Sequence, residues 1–404
     1  MVSRFAATLL ILLWGSRCLQ AQIDPAKREL IQLGYSYPLQ GHAPISAYAF
    51  YYANLPNFYQ SNLTLRLAVA PIYLDAEVGL INLLGENTDL GLGITGGGFA
   101  DTYSEIRQGK YLREESFTGH GGGVVASVYH LFNPGQRVPL NGMVRAEFHQ
   151  SVYSRDKETA PNFVLPEDQP SFNFRTGLRW GGKEPLIFPE VAMEISAWYE
   201  SMYRLDPSTY GFGDRQVNDL SHLFWGRALL AYTFPKLRHS FSVSLTGGTS
   251  LNTDRFSAYR LGGILPLVSE FPLTLPGYYY QEISASRFVL FGGQYALPLD
   301  QNKNWALNLQ ATTAGVEYLT GLEQPGRWHS GVGGGISYRS PKDAWQILVG
   351  YAYGIDAIRD HGRGAHSVGF LLQFDLERAH RNLFDPAEQP LRSRGLERIF
   401  RIFQ

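Results

Sequence analysis

Between Trp328 and Leu376 the chain alternates in character with a period of two in three successive runs: Trp328 to Tyr338, Ala344 to Tyr353 and Ser367 to Leu376. Successive side chains of a strand point to opposite faces, so each run meets two different surroundings. The pattern recurs upstream. Leu63, Leu65, Leu67 and Val69 alternate with Thr64, Arg66 and Ala68, and Ile72, Leu74, Ala76 and Val78 with Tyr73, Asp75 and Glu77. Val144, Ala146, Phe148 and Val152 oppose Arg145, Glu147, His149 and Ser151, while Phe172, Phe174, Leu178 and Trp180 oppose Asn173, Arg175 and Arg179. Phe241, Val243 and Leu245 oppose Ser240, Ser242, Ser244 and Thr246, and Trp305, Leu307, Leu309 and Ala311 oppose Asn304, Asn308, Gln310 and Thr312. In each pair the first set suits lipid and the second a polar lumen. A spanning structure without long apolar helices has to be a closed barrel, because lipid offers no partner to free backbone groups.

The alternation predicts strands at 45–53, 62–70, 72–80, 88–97, 122–132, 141–153, 170–180, 190–203, 221–234, 239–250, 284–298, 304–317, 328–339, 344–354 and 366–376. That is an odd number, and bacterial single-chain barrels close with an even one, so Leu30 to Leu39 supplies the sixteenth. From residue 98 onward long links (98–121, 154–169, 204–220, 251–283) alternate with short ones (133–140, 181–189, 235–238, 299–303, 340–343). The links 318–327 and 355–365 are of medium length. Outer-membrane barrels sort their connections in this way, with short periplasmic turns and longer extracellular loops, whereas a soluble sandwich has no reason to. The expected fold is therefore an all-β, antiparallel up-and-down transmembrane barrel of sixteen strands.

The N-terminus carries the matching address. Arg4, the apolar run Phe5 to Trp14 and Leu19-Gln20-Ala21 read as an export signal over residues 1–21, with an apolar run about half the length a spanning helix needs. The single cysteine, Cys18, lies inside that signal; Gly15 and Arg17 stand where a lipoprotein signal has a leucine-like and a small residue. The expected order is then a segment 22–44, a barrel over 45–376 and a periplasmic tail 377–404. A net charge of −1 gives no sign of nucleic-acid binding. Aromatic residues at 14% beside 43 glycines fit strands wetted on one side and girdled by aromatic belts at both membrane interfaces. The expected location is the bacterial outer membrane, with its lipid as one partner and periplasmic or outer-membrane proteins as others.

Around the longest loop the chain resembles a known family. Phe256-Ser257-Ala258-Tyr259-Arg260-Leu261-Gly262-Gly263, then Leu275-Pro276-Gly277-Tyr278, then Gln294-Tyr295-Ala296-Leu297-Pro298-Leu299, are similar to the BamA/TamA/FhaC-type superfamily, the bacterial surface antigen family. The glycine-rich strand near Gly331, the Ser340-Pro341 turn and the Gly369-Phe370 strand share the likeness, which covers roughly residues 239–376. The resemblance implies a barrel that inserts or exports polypeptides or lipids, its sixth extracellular loop (251–283) folded into the lumen as a gate and touching the wall through Leu275, Pro276, Gly277 and Tyr278. Two departures stand out. Pro276 occupies the place of the family's tip arginine, so aromatic packing and tyrosine hydroxyls, not a salt bridge, are expected to hold the tip. The family also carries POTRA domains ahead of the barrel, and residues 22–44 leave no room for one, so separate periplasmic partners are expected. The alternative function is a passive pore or a structural subunit of a larger outer-membrane complex.

Other motifs carry less. Gly119-His120-Gly121-Gly122-Gly123 has the look of a lipase oxyanion hole but lacks the Gly-x-Ser-x-Gly elbow. His149 and Ser151 share a lumen-facing strand without an identifiable third group, so no catalytic residue is assigned and the chain is not read as an enzyme. Asp356, Asp360, His361 and His366 fit no zinc spacing, so neither metal nor cofactor is expected. Arg145, Arg175, Arg179 and Arg227, with Glu147, Glu194 and Glu200, are expected to form a paired polar network in the lumen, or alternatively an ion-selectivity ring. In the tail, Leu396, Ile399, Phe400 and Phe403 are spaced for one helix face beside Arg394, Arg398 and Arg401, which suits a membrane-surface tail or a partner-docking helix.

Overall fold

The computed structural model describes residues 27–182, 191–265, 271–360 and 362–384. The expected export signal, His361 and the apolar positions of the tail lie outside the described residues. The chain forms, in order, β1 (Arg28–Pro38), β2 (Ser46–Pro56), β3 (Leu63–Ala70), β4 (Tyr73–Leu80), β5 (Thr88–Gly97), β6 (Tyr103–Arg107) and β7 (Lys110–Leu131). There follow β8 (Leu140–Arg155), β9 (Gln169–Gly182), β10 (Val191–Arg204), β11 (Thr209–Tyr210), β12 (Arg215–Gln216) and β13 (Leu220–Thr233). The last are β14 (Ser240–Leu251), β15 (Tyr259–Leu261), β16 (Ile283–Pro298), β17 (Trp305–Tyr318), β18 (Trp328–Arg339), β19 (Trp345–Arg359), β20 (Gly362–Asp375) and the helix α1 (Leu376–Phe384).

Sixteen of these strands form one closed antiparallel ring, with β6, β11, β12 and β15 built into the loops. The ring closes where β1 meets β20, in register from Leu30 opposite Asp375 to Pro38 opposite Ser367. The sixteenth strand is the expected N-terminal one. Its sequence signal is blurred because Leu30 points inward and is buried with Tyr48, Phe50, Leu265 and Leu371, breaking the polar-inside rule.

From residue 98 onward loop length sorts by end, whereas upstream the two-residue link 71–72 lies at the long-loop end. Links 57–62, 81–87, 132–139, 234–239, 299–304 and 340–344 lie at one end, and 98–109, 156–168, 205–219, 252–282 and 319–327 at the other. Two links are shorter than expected. β7 runs 22 residues to pair with β6, and β19 and β20 extend until only residues 360–361 join them. Loop backbone must find hydrogen-bond partners too, and lengthening the ladder supplies them.

The outer face is apolar and open: Val124, Phe148, Leu178, Leu245, Leu309 and Ile336 are all exposed. The alternate positions Glu77, Ser127, Ser151, Glu194, Thr246 and Ser337 are buried inside the ring. That inversion of the soluble pattern is what lipid on the outside requires. Leu309, 49% exposed, and Gln310 stand on opposite faces of β17. A charge at the bilayer midplane costs about 2–4 kcal/mol, so Leu309→Arg is expected to lower the yield of the heat-modifiable folded form well below that of Gln310→Arg. Equal yields would show the register to be wrong.

Candidate functional site

Loop 252–282 meets the inner wall in three places. Past β15, Ile264 and Leu265 lie against Gly369 of β20 and join the cluster with Leu30, Tyr48 and Phe50 of β1 and β2. Six residues on, Phe271 packs against Trp198 of β10 and Trp225 of β13. Those two walls are eight strands apart around a ring of sixteen. The third seat is the tip, on β18 and β19.

Three glycines build the tip contact. Gly331 and Gly354 are cross-strand partners on the inner face. A Cβ on Gly331 would run into the Pro276 carbonyl oxygen, and one on Gly277 into the Gly354 backbone nitrogen. Gly277 also holds φ at 84°, a left-handed conformation that side chains resist. Leu275 and Tyr278 are buried with Ala357, Ala365 and Val316, and the Tyr278 hydroxyl is 3.2 Å from His329 Nδ1. Burial pushes that hydroxyl above its ordinary pKa, so it stays un-ionised. Pro276, Gly277 and Tyr278 thus lie beside the backbone of Gly331 and Gly354, and Leu275 is buried in the adjoining cluster.

The expectation that no salt bridge holds the loop needs correction. Arg359 of β19 donates from Nη1 to Glu282 Oε1 at 2.8 Å and from Nη2 to Oε2 at 2.9 Å, and its guanidinium lies 3.6 Å from the Tyr279 ring centroid. Tyr279 in turn donates its hydroxyl to the Gln40 carbonyl at 3.0 Å. With Pro276 at the tip, the cation comes from the wall and the carboxylate from the base of the loop. Removing one partner of such a buried pair typically costs about 3–5 kcal/mol, because the other charge stays behind unpaired.

The lumen charges fall into separate clusters. Arg145 pairs with Asp75 at 3.0 Å beside Arg66 and Glu77, whose carboxylate accepts from Tyr129 at 2.9 Å. Glu147 stands instead beside His149, 3.4 Å away, whose other ring nitrogen is 2.9 Å from Asp101. The imidazole partners are therefore two carboxylates. Arg227 and Glu194 are brought together, Nη2 to Oε2 at 2.6 Å, and Arg175 meets Glu200 at 3.2 Å. Arg179 lies further along β9, opposite Ser196 and Asn141. Gly119 to Gly123 continue the ladder of β7 with β8. Asp356 accepts from the Ser330 amide at 3.0 Å, Asp360 lies 3.7 Å from Lys110, and His366 bonds Tyr351.

Above the ring the loops knit into one body. Buried Glu105, at the β6 hairpin, lies 3.5 Å from Arg107, 3.8 Å from Arg215 and 3.3 Å from Arg255. Tyr103, Phe117, Phe163, Tyr210 and Phe256 pack beside it. Arg260 of β15 reaches the Ser104 carbonyl at 2.7 Å. Loop 252–282 is thereby tied to its neighbours as well as to the wall.

This ring matches solved barrels in shape. CdiB from Acinetobacter baumannii superposes with a TM-score of 0.55 at 10% identity, over 86% of this chain and 60% of that one. BamA from Haemophilus ducreyi lacking POTRA domains 1–3 gives 0.51 at 10%, over 91% and 77%. CdiB from Escherichia coli gives 0.52 at 11%, over 87% and 63%. What they share is the fold. The chain spans less than two thirds of either CdiB. No protein-family model and no curated protein sequence matches it.

The triple-glycine seat is testable. In a Thr274→Cys background, Gly277→Ala is expected to raise the labelling rate by an impermeant maleimide, since neither the backbone it strikes nor the positive φ can yield cheaply. Gly293→Ala, where an added Cβ meets nothing within 4 Å, is the control. Unchanged labelling at Thr274→Cys would mean that the tip is not seated by this contact.

Proposed function

We propose that the protein is an outer-membrane conduit for polypeptides whose lumen is gated by loop 252–282. One observation carries the reading: the loop is seated on opposite inner walls, at Leu265 and at Phe271, and again at the tip. An open diffusion pore gains nothing from a loop seated on facing inner walls, whereas a conduit for large and occasional cargo has to be shut between events. Placement in the outer membrane rests on the apolar outer face and on the sorting of loop lengths, with the long loops outside the cell.

Polypeptide as cargo is supported by likeness of fold to BamA and CdiB barrels together with the motif around Leu275-Pro276-Gly277-Tyr278. The wall charges pair with one another, so they serve to hold residues in place and not as an ion-selectivity ring. Work with separate periplasmic partners remains part of the proposal.

Planar-bilayer recording tests the gate. The intact protein is expected to show small, intermittent conductance, and deletion of residues 264–280 a large and steady one. A large steady conductance already present in the intact protein would sink the reading in favour of a passive pore.

A further inference from the structure

The wall formed by β9, β10 and β13 carries a seat the size of one aromatic ring. Trp198 and Trp225 are cross-strand partners, stacked with centroids 5.7 Å apart and planes 21° apart. Trp198 can lie flat because its other neighbour is Gly177, where a Cβ would run into the indole. The Arg175 guanidinium covers both indoles, at 4.5 and 5.3 Å from their centroids. Each arginine is fixed by a carboxylate, Arg175 by Glu200 and Arg227 by Glu194, and Glu200 also accepts from Trp225 Nε1 at 3.3 Å. Phe271 fills the seat: its ring meets Trp225 at 3.9 Å and 69°, and the guanidiniums of Arg227 and Arg175 at 4.4 and 5.4 Å.

We propose that this is a binding site for an aromatic side chain of a polypeptide in the lumen, and that Phe271 is its resident stand-in. The inference rests on the polypeptide-conduit reading for the identity of the ligand, while the site itself stands on its geometry. Two guanidiniums over a ring face or edge favour a π system over an aliphatic group of the same size. The four wall side chains sit on paired strands, whereas Phe271 sits on a loop, so the ring can leave and the seat remain. The resident also leaves something undone: among the described residues, buried Trp198 Nε1 finds no acceptor. An extended peptide brings carbonyl oxygens alongside its aromatic side chain and can satisfy that donor. An incoming aromatic that displaces Phe271 frees one of the loop's three seats, so cargo binding and gate release draw on the same contact.

The test uses the full-length protein in detergent, with acetyl-Gly-Phe-Gly-amide and acetyl-Gly-Leu-Gly-amide as probes and calorimetry as the readout. Phe271→Ala is expected to bind the phenylalanine peptide about tenfold more tightly than the unaltered protein does, and about tenfold more tightly than it binds the leucine peptide. Phe271→Tyr, which refills the seat, is expected to restore the unaltered behaviour. Heat-modifiable migration reports folding of each variant. Equal affinity of Phe271→Ala for both peptides, or binding of neither, overturns the proposal. The measurement does not depend on transport: a passive-pore result in the bilayer would remove the conduit reading and leave this preference to be judged by itself.

Discussion

Everything in this structure depends on closing the backbone hydrogen-bond ladder. A strand edge left open in hydrocarbon costs several kcal/mol for each unpaired group, so a sheet that enters lipid has to meet itself. The nine paired positions between β1 and β20 accomplish that, joining the two ends of the chain's sheet. Closure then dictates the side chains. Once the outside is lipid, every second residue must be apolar, and the polar and charged residues are confined to a narrow interior where they have to satisfy one another.

The interior answers this demand locally. Charges meet along the inner wall, Arg227 with Glu194 on the adjacent strand and Arg145 of β8 with Asp75 of β4 across two intervening strands, so each cluster is nearly neutral. Between clusters, aromatic rings and bare glycine backbone provide surfaces on which a loop can lie. Loop 252–282 uses both kinds, the indoles of β10 and β13 for Phe271 and the glycines of β18 and β19 for the tip.

The barrel was legible from sequence because its rule is local: a period of two fixes which face each residue takes. Where the rule was broken for a tertiary reason the reading blurred, as at Leu30, which turns inward to meet Leu265. At the loop tip the sequence offered a resemblance of motif around Leu275-Pro276-Gly277-Tyr278, not a pattern of its own. The Arg359–Glu282 pair was not legible, because its members stand 77 residues apart and Arg359 read as loop before β19 proved to extend that far. Phe271 escaped notice for a related reason. Its four neighbours come from three strands, and no spacing along the chain announces that they converge.

The seating of the loop also constrains how the molecule can be made. Loop 252–282 precedes in the chain the strands β18, β19 and β20 on which it rests, and its contacts with Glu105 and Ser104 reach back 150 and 156 residues. Contacts so distant in sequence form late, because a long stretch of chain must be ordered first. The loop must therefore already lie within the curve of the sheet when the ends meet, or else enter afterwards through a mouth that the loops themselves are closing. Assembly of this barrel is in that sense like corking a bottle while the glass is still being blown: the order of events is written into the topology.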